Sequence, residues 1–115
     1  MDTQAVLDHH LKGFSAGDTD MVLEDYTDDS VVITADGTFR GRDALRPVFA
    51  NFFSTLFAPG TYDFTMDHME VVGDVAFITW QAKCGEADVR LGTDTFVVRD
   101  GKIVAQTFAA LIEPR

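Results

Sequence analysis

The chain has 115 residues, with nine basic against nineteen acidic side chains and a formal charge of -10. This length suits one domain that removes about two thirds of its unfolded surface from water. The negative charge opposes nucleic acid and anionic membrane as partners, because both are held through basic patches. A single cysteine, Cys84, excludes an internal disulfide and a cysteine-based zinc site, and fits a reducing cytoplasm.

From Thr3 to Ser15 the apolar residues Val6, Leu7, Leu11 and Phe14 recur at helical spacing. Gly17 then supplies a stop, and Asp18 a cap for a second short helix over Met21 to Tyr26. His10 lies within the apolar stripe and His9 on its wet side. Adjacent helical residues point about 100° apart, so the pair is not a metal motif. The polar run Thr27-Asp28-Asp29-Ser30 ends the second helix, Val31 to Thr34 predicts a strand, and Asp36-Gly37 signals a hairpin. Leu45, Val48, Phe49, Phe52, Phe53 and Leu56 mark a third amphipathic helix, with Pro47 near its start and Pro59-Gly60 closing it.

Four strands follow: Thr61 to Val72, Val75 to Cys84, Ala87 to Arg99, and Lys102 to Ile112. Gly73-Asp74, Gly85-Glu86 and Asp100-Gly101 join them as hairpins, so the sheet is expected to be largely antiparallel. Helices first and strands after is the α+β pattern, here a single domain over residues 1–115. The N-terminus Met1-Asp2-Thr3-Gln4 lacks a basic, apolar signal, and no apolar run nears the roughly 20 residues that span a bilayer. The expectation is a soluble cytoplasmic protein.

Ten Phe in so short a chain suffice to line a cavity as well as fill a core. In the strand from Val75, alternation places Phe77, Thr79 and Gln81 on one face and Ala76, Ile78, Trp80 and Ala82 on the other. In the last strand Gln106 and Phe108 share a face. Thr79, Gln81 and Gln106 are the polar cavity candidates, with Phe49, Phe77, Phe96 and Phe108 as its apolar wall. Gln81 and Gln106 have a plainer reading, pairing across adjacent strands. His68 alternates with Tyr62, Phe64 and Met66, as a cavity residue or a partly buried structural one. Both sheet faces are apolar, so the outer one, to which Trp80 is assigned, is expected to be covered by a second subunit.

Asp94 interrupts Gly92-Thr93-Asp94-Thr95-Phe96-Val97-Val98, a run that otherwise reads as buried strand. Burial raises a carboxyl pKa, which suits an acid that donates to a substrate oxygen; the alternative is an Asp tied to a neighbouring strand or helix end. Three His, two of them adjacent, show no metal-ligand spacing, and no phosphate loop or nucleophile elbow is present. Neither metal nor organic cofactor is expected.

Several signatures together resemble the nuclear transport factor 2-like superfamily, and within it the ketosteroid isomerase and SnoaL-like polyketide cyclase group. They are Phe14-Ser15-Ala16-Gly17-Asp18, Tyr26-Thr27-Asp28-Asp29-Ser30-Val31, Phe39-Arg40-Gly41-Arg42, Asp94-Thr95-Phe96 and Asp100-Gly101-Lys102-Ile103. The resemblance implies a cystatin-like cone, with three helices packed on a strongly curved sheet around an apolar pocket, and a homodimer through the outer sheet face. It puts Asp94 where the isomerases keep a protonated aspartic acid, a case whose pKa behaviour is known from that family. His10 falls where their oxyanion-hole Tyr stands. Thr34 occupies the place of their catalytic base, and it cannot take a carbon-bound proton at neutral pH.

The resulting expectation is a small apolar carbonyl compound bound in the cone, with Asp94 and His10 catalytic in isomerisation, aldol cyclisation or dehydration. The substrate-binding residues are then Thr34, Phe49, Phe77, Thr79, Gln81, Phe96, Gln106 and Phe108. The alternatives are a non-catalytic ligand-binding or dimerisation module and an epoxide hydrolase of the limonene type. The last uses an Asp-Arg-Asp set, for which Arg90 shares strand parity with Asp94.

Overall fold

A computed structural model describes all 115 residues. The elements in order are α1 (Thr3–Ala16), α2 (Thr19–Leu23), β1 (Tyr26–Thr34), β2 (Gly37–Arg40), α3 (Arg42–Ser54), β3 (Asp63–Val72), β4 (Val75–Lys83), β5 (Ala87–Arg99) and β6 (Lys102–Pro114). Asp2 caps α1 by accepting from the Ala5 amide at 2.8 Å, and Gly17 ends it in the left-handed region at φ 64°. Asp18 caps α2 through the Met21 amide.

The second helix is shorter than its sequence suggests. Ile103 donates its backbone N–H to the Asp25 carbonyl at 2.7 Å and pairs with Tyr26, so the helix ends at Leu23 and Tyr26 opens β1. Strand pairing thus overrides local helical spacing.

The six strands run in the order β2-β1-β6-β5-β4-β3, all neighbours antiparallel except the parallel pair β1 and β6. The Asp100-Gly101 turn between β5 and β6 has both residues at positive φ, as a tight type I′ hairpin requires. Bulges at Asp67 in β3 and Arg90 in β5 interrupt the ladders and bend the sheet. The helices fill its concave side, where Val6, Leu7, Val22 and Leu45 are at most 1% exposed.

The faces of β4 are the reverse of the sequence expectation. Ala76, Ile78, Trp80 and Ala82 are buried inside the cone, whereas Phe77, Thr79 and Gln81 lie on the outer face. Ile78 stands directly opposite Asp94, and cross-strand partners share a face, so an inward Asp94 carries Ile78 and Trp80 inward with it. Outside, Ile33, Thr107, Thr95 and Phe77 form a row across four strands, with exposed Leu91 and Leu111 beyond.

Ser30 locks the parallel junction. Fully buried, it donates to the Ile103 carbonyl at 2.6 Å and accepts from the Thr27 amide at 2.8 Å. Ser30→Ala leaves both backbone groups unpartnered and is expected to cost roughly 1–3 kcal/mol in urea denaturation. A loss below a few tenths would show that the junction is held otherwise.

Candidate active site

Between α1, α3 and the concave sheet lies a cavity of about 70 Å³, lined mostly by aromatic and aliphatic side chains. Its polar floor is Asp94, Trp80 and Gln106, with Tyr26 bonded behind Gln106. Asp94 on β5, 8% exposed, accepts from Trp80 Nε1 at 2.8 Å on Oδ1 and from Gln106 Nε2 at 3.0 Å on Oδ2. Gln106 in turn accepts through Oε1 from the hydroxyl of buried Tyr26, which fixes the amide so that its NH₂ faces Asp94.

Gly92 makes room for this arrangement. A Cβ there would stand 2.2 Å from the Trp80 ring, so only glycine lets the indole lie flat over the strand and reach Asp94.

Burial pushes the Asp94 carboxyl up to about 6, restrained by the hydrogen bonds from Trp80 and Gln106, which favour the charged form. Burial, then the charge of Asp94, raises the Tyr26 phenol well above its usual range, so Tyr26 remains a donor. His10 on α1 is 4% exposed and lines the same cavity, its ring edge-on to Phe96 at 5.1 Å. Burial, then the charge of His9, lowers His10 to about 4, so its imidazole is neutral. Its Nδ1 has no hydrogen-bond partner.

Thr34, Phe49, Phe96, Gln106 and Phe108 line the cavity alongside Asp94 and His10. Thr34 faces it with its hydroxyl turned to the Gly37 carbonyl. Phe77, Thr79 and Gln81 do not reach it, and Gln81 instead donates to Asp67 at 2.9 Å. Gln81 and Gln106 do not pair, since β5 separates their strands. The Asp67 bulge turns His68 outward, where it meets Glu70 at 3.1 Å. The Arg90 bulge does the same to Arg90, which pairs with Glu113 at 3.0 Å, and no arginine lines the cavity.

The residue that sequence reasoning misplaced is Trp80, which belongs to the floor and not to the outer face. Its signal was available in part, because a buried indole N–H needs an acceptor and Asp94 is the carboxylate set within the apolar run of the neighbouring strand. Phe14, Phe52, Phe57 and Phe64 complete the wall. His9 is not simply wet: its Nδ1 lies 2.8 Å from Asp25, whose side chain is 2% exposed, away from the cavity. No group of three or more His, Cys, Asp or Glu is placed to hold a metal ion.

The curved sheet with helices on its concave side defines the nuclear transport factor 2-like class of cone folds. The family model of the SnoaL-like domain matches residues 7–106, and the chain belongs to that family. Among solved structures it is similar to a proposed polyketide cyclase from Sinorhizobium meliloti, at 20% identity over 90% of this chain and 93% of that one, TM-score 0.76. A proposed ketosteroid isomerase from Kribbella flavida matches at 14% identity over 95% and 77%, TM-score 0.77. An LEH-like epoxide hydrolase from M. tuberculosis matches at 15% over 93% and 80%, TM-score 0.73. At such identities the likeness is one of fold. The comparison with curated proteins returns no match.

Asp94 and His10 act oppositely on stability as pH changes. Asp94, raised from 3.8 to about 6, holds its proton more tightly when folded, so stability falls as pH rises through that window, by about 3 kcal/mol for a displacement of this size. His10, lowered from 6.5 to about 4, resists protonation when folded, so its contribution is present above 6.5 and lost as pH falls toward 4. The two slopes nearly cancel in the wild type. Asp94→Asn is expected to make stability rise with pH across this range and His10→Phe to make it fall, against the same Asp25 background. Urea denaturation at closely spaced pH values reads both signs, and slopes of the same sign in the two variants would contradict the assignment.

Proposed function

We propose that this protein binds a small apolar carbonyl compound in its cone and moves a proton on the carbon next to the carbonyl, using neither metal nor organic cofactor. The observation that carries this reading is the Asp94 carboxylate, buried among aromatic rings with each oxygen already receiving an N–H donor. Donors on both oxygens favour the ionised form, so Asp94 serves as acceptor and base, in contrast to the protonated acid at the corresponding place in ketosteroid isomerases. A proton affinity near neutrality suits a base that must also return the proton.

In the proposed step Asp94 takes the α-proton and the C–H electron pair moves onto the carbonyl oxygen. The neutral His10 imidazole donates its N–H to the resulting enolate. Return of the proton to another carbon gives an isomer; attack of the enolate carbon on a second carbonyl, whose oxygen then takes the proton from Asp94, gives a cyclised aldol; and departure of a β-hydroxyl, which takes that proton and leaves as water, gives a dehydrated product. Thr34 and the Phe side chains position the ligand.

The tightness of the cavity favours a second reading, a ligand-binding or dimerisation module without catalysis. Titration with planar phenols, which resemble an enol, separates the two. Binding that is lost in Asp94→Asn and weakens as pH falls below about 6 supports Asp94 as an ionised acceptor. Binding that strengthens at low pH points to a protonated donor, and no binding by any form favours the module. Catalysis is tested by deuterium uptake at the α-carbon of cyclohexenone in heavy water, expected at least tenfold slower in Asp94→Asn.

Two further proposals concern its setting. No helix is long and apolar enough to cross a membrane, and the unpaired Cys84 is in keeping with a cytoplasmic location. The exposed row containing Ile33 and Phe77, with Leu91 and Leu111, is the surface on which a homodimer would form. Phe77→Arg combined with Leu111→Arg is expected to yield monomers by light scattering while leaving the helical signal intact; an unchanged mass would remove this face from consideration.

A further inference from the structure

The cavity at Asp94 has a neighbour. A second chamber of about 510 Å³ lies between the C-terminal end of α1 and the start of β3, and Leu11, Phe14 and Phe64 wall both spaces. Ordinary ligand pockets hold roughly 300–1,000 Å³. The inner chamber falls well short of that range and the outer one lies within it, so a ligand of ordinary size that reaches Asp94 must extend into the outer one.

The shared wall is uneven. Phe14 is gripped by Phe53 at 4.9 Å and Phe57 at 5.4 Å between ring centroids, deep in the aromatic cluster. Phe64 is 43% exposed, belongs to the edge strand β3, and stacks on the single ring of Trp80 at 5.4 Å. A ring held from one side changes rotamer on the picosecond to nanosecond scale. Phe64 is therefore the part of the wall that yields.

The two chambers differ in chemistry. Inside are Asp94 and His10 among apolar walls; outside, Ser15, Tyr62 and Asp63 supply hydroxyl and carboxyl groups. Burial raises the Tyr62 phenol, which therefore remains a donor. Asp63, within a chain of net charge -10, repels a carboxylate or phosphate.

We infer that the ligand straddles both chambers, with a planar carbonyl head at Asp94 and His10, a chain passing Phe64, and an uncharged hydroxylated tail among Ser15, Tyr62 and Asp63. The inference rests on the carbonyl-binding role proposed for the inner chamber.

Calorimetric titration of the full chain compares phenol, a phenol carrying a para-hydroxyhexyl chain, and the same chain ending in carboxylate. The hydroxyl-tailed phenol is expected to bind about tenfold or more tighter than phenol, as burial of a few methylenes implies, and tighter than its carboxylate counterpart. Ser15 is exposed on α1, and Ser15→Trp, which fills the outer chamber, is expected to bring phenol and hydroxyl-tailed phenol to equal affinity. Phe64→Ala, which removes the ring the chain must pass, is expected to keep or enlarge the advantage of the tail. Equal binding of the two phenols by the wild type, or an advantage that survives Ser15→Trp, overturns the two-chamber ligand while leaving the inner site intact. Failure of every phenol to bind overturns both.

Discussion

The structure turns on one carboxylate held out of water. Moving an ionised Asp94 from solvent into a cone of aromatic rings costs several kcal/mol, and each hydrogen bond to a charged group returns roughly 1.5–3 kcal/mol. Trp80 and Gln106 supply two such bonds, one per oxygen. The offset is incomplete, as the raised proton affinity of Asp94 records. Each supporting feature follows from the need to keep these donors in place. Tyr26 orients the Gln106 amide from β1, and Gly92 leaves space for the Trp80 ring. The parallel pairing of β1 with β6, locked by Ser30, is what brings Tyr26 beside Gln106.

No cation shares this cavity. Arg42, Arg46, Arg90 and Arg115 pair with acidic residues on the surface, and His10 is held neutral by its own burial. Asp94 is thus stabilised by dipoles, and dipoles attenuate its basicity less than a salt bridge does. An arginine at 4 Å would have pulled the carboxyl well below its ordinary range. His10 gains from the same rule. A neutral imidazole offers one N–H and one lone pair without adding a second charge to an apolar space.

Element order, hairpin turns and the three helices are legible in the sequence because local chemistry sets them: Asp2 and Asp18 at helix starts, Gly17 at a helix end, Asp100-Gly101 at a turn. Asp94 and His10 are legible too, since each is a polar residue within an apolar pattern. The facing of β4 is not. Alternation sorts its residues into two sets but does not say which set looks inward, and choosing the set with Thr79 and Gln81 because a site needs polar groups gave the wrong side. The decision depends on the pairing of Ile78 with Asp94, and between the hairpin turn and that pair lies a bulge at Arg90 that a single sequence does not reveal. His68 is misread for the same reason, through the bulge at Asp67.

The three solved structures compared above share this cone at 14–20% identity and another shares it at 6%, so the shape is specified by many sequences and a site by few residues. In this chain those few are inseparable from the aromatic wall around them. Phe49, Phe52, Phe57, Phe96 and Phe108 keep the space near Asp94 small and dry. A larger chamber would admit water, water would solvate the carboxylate, and its proton affinity would fall back toward that of an ordinary Asp. The narrowness that limits what enters the inner chamber is the same property that raises the proton affinity of Asp94. In the two-chamber proposal, a ligand that needs more room finds it past Phe64, at the exposed edge strand.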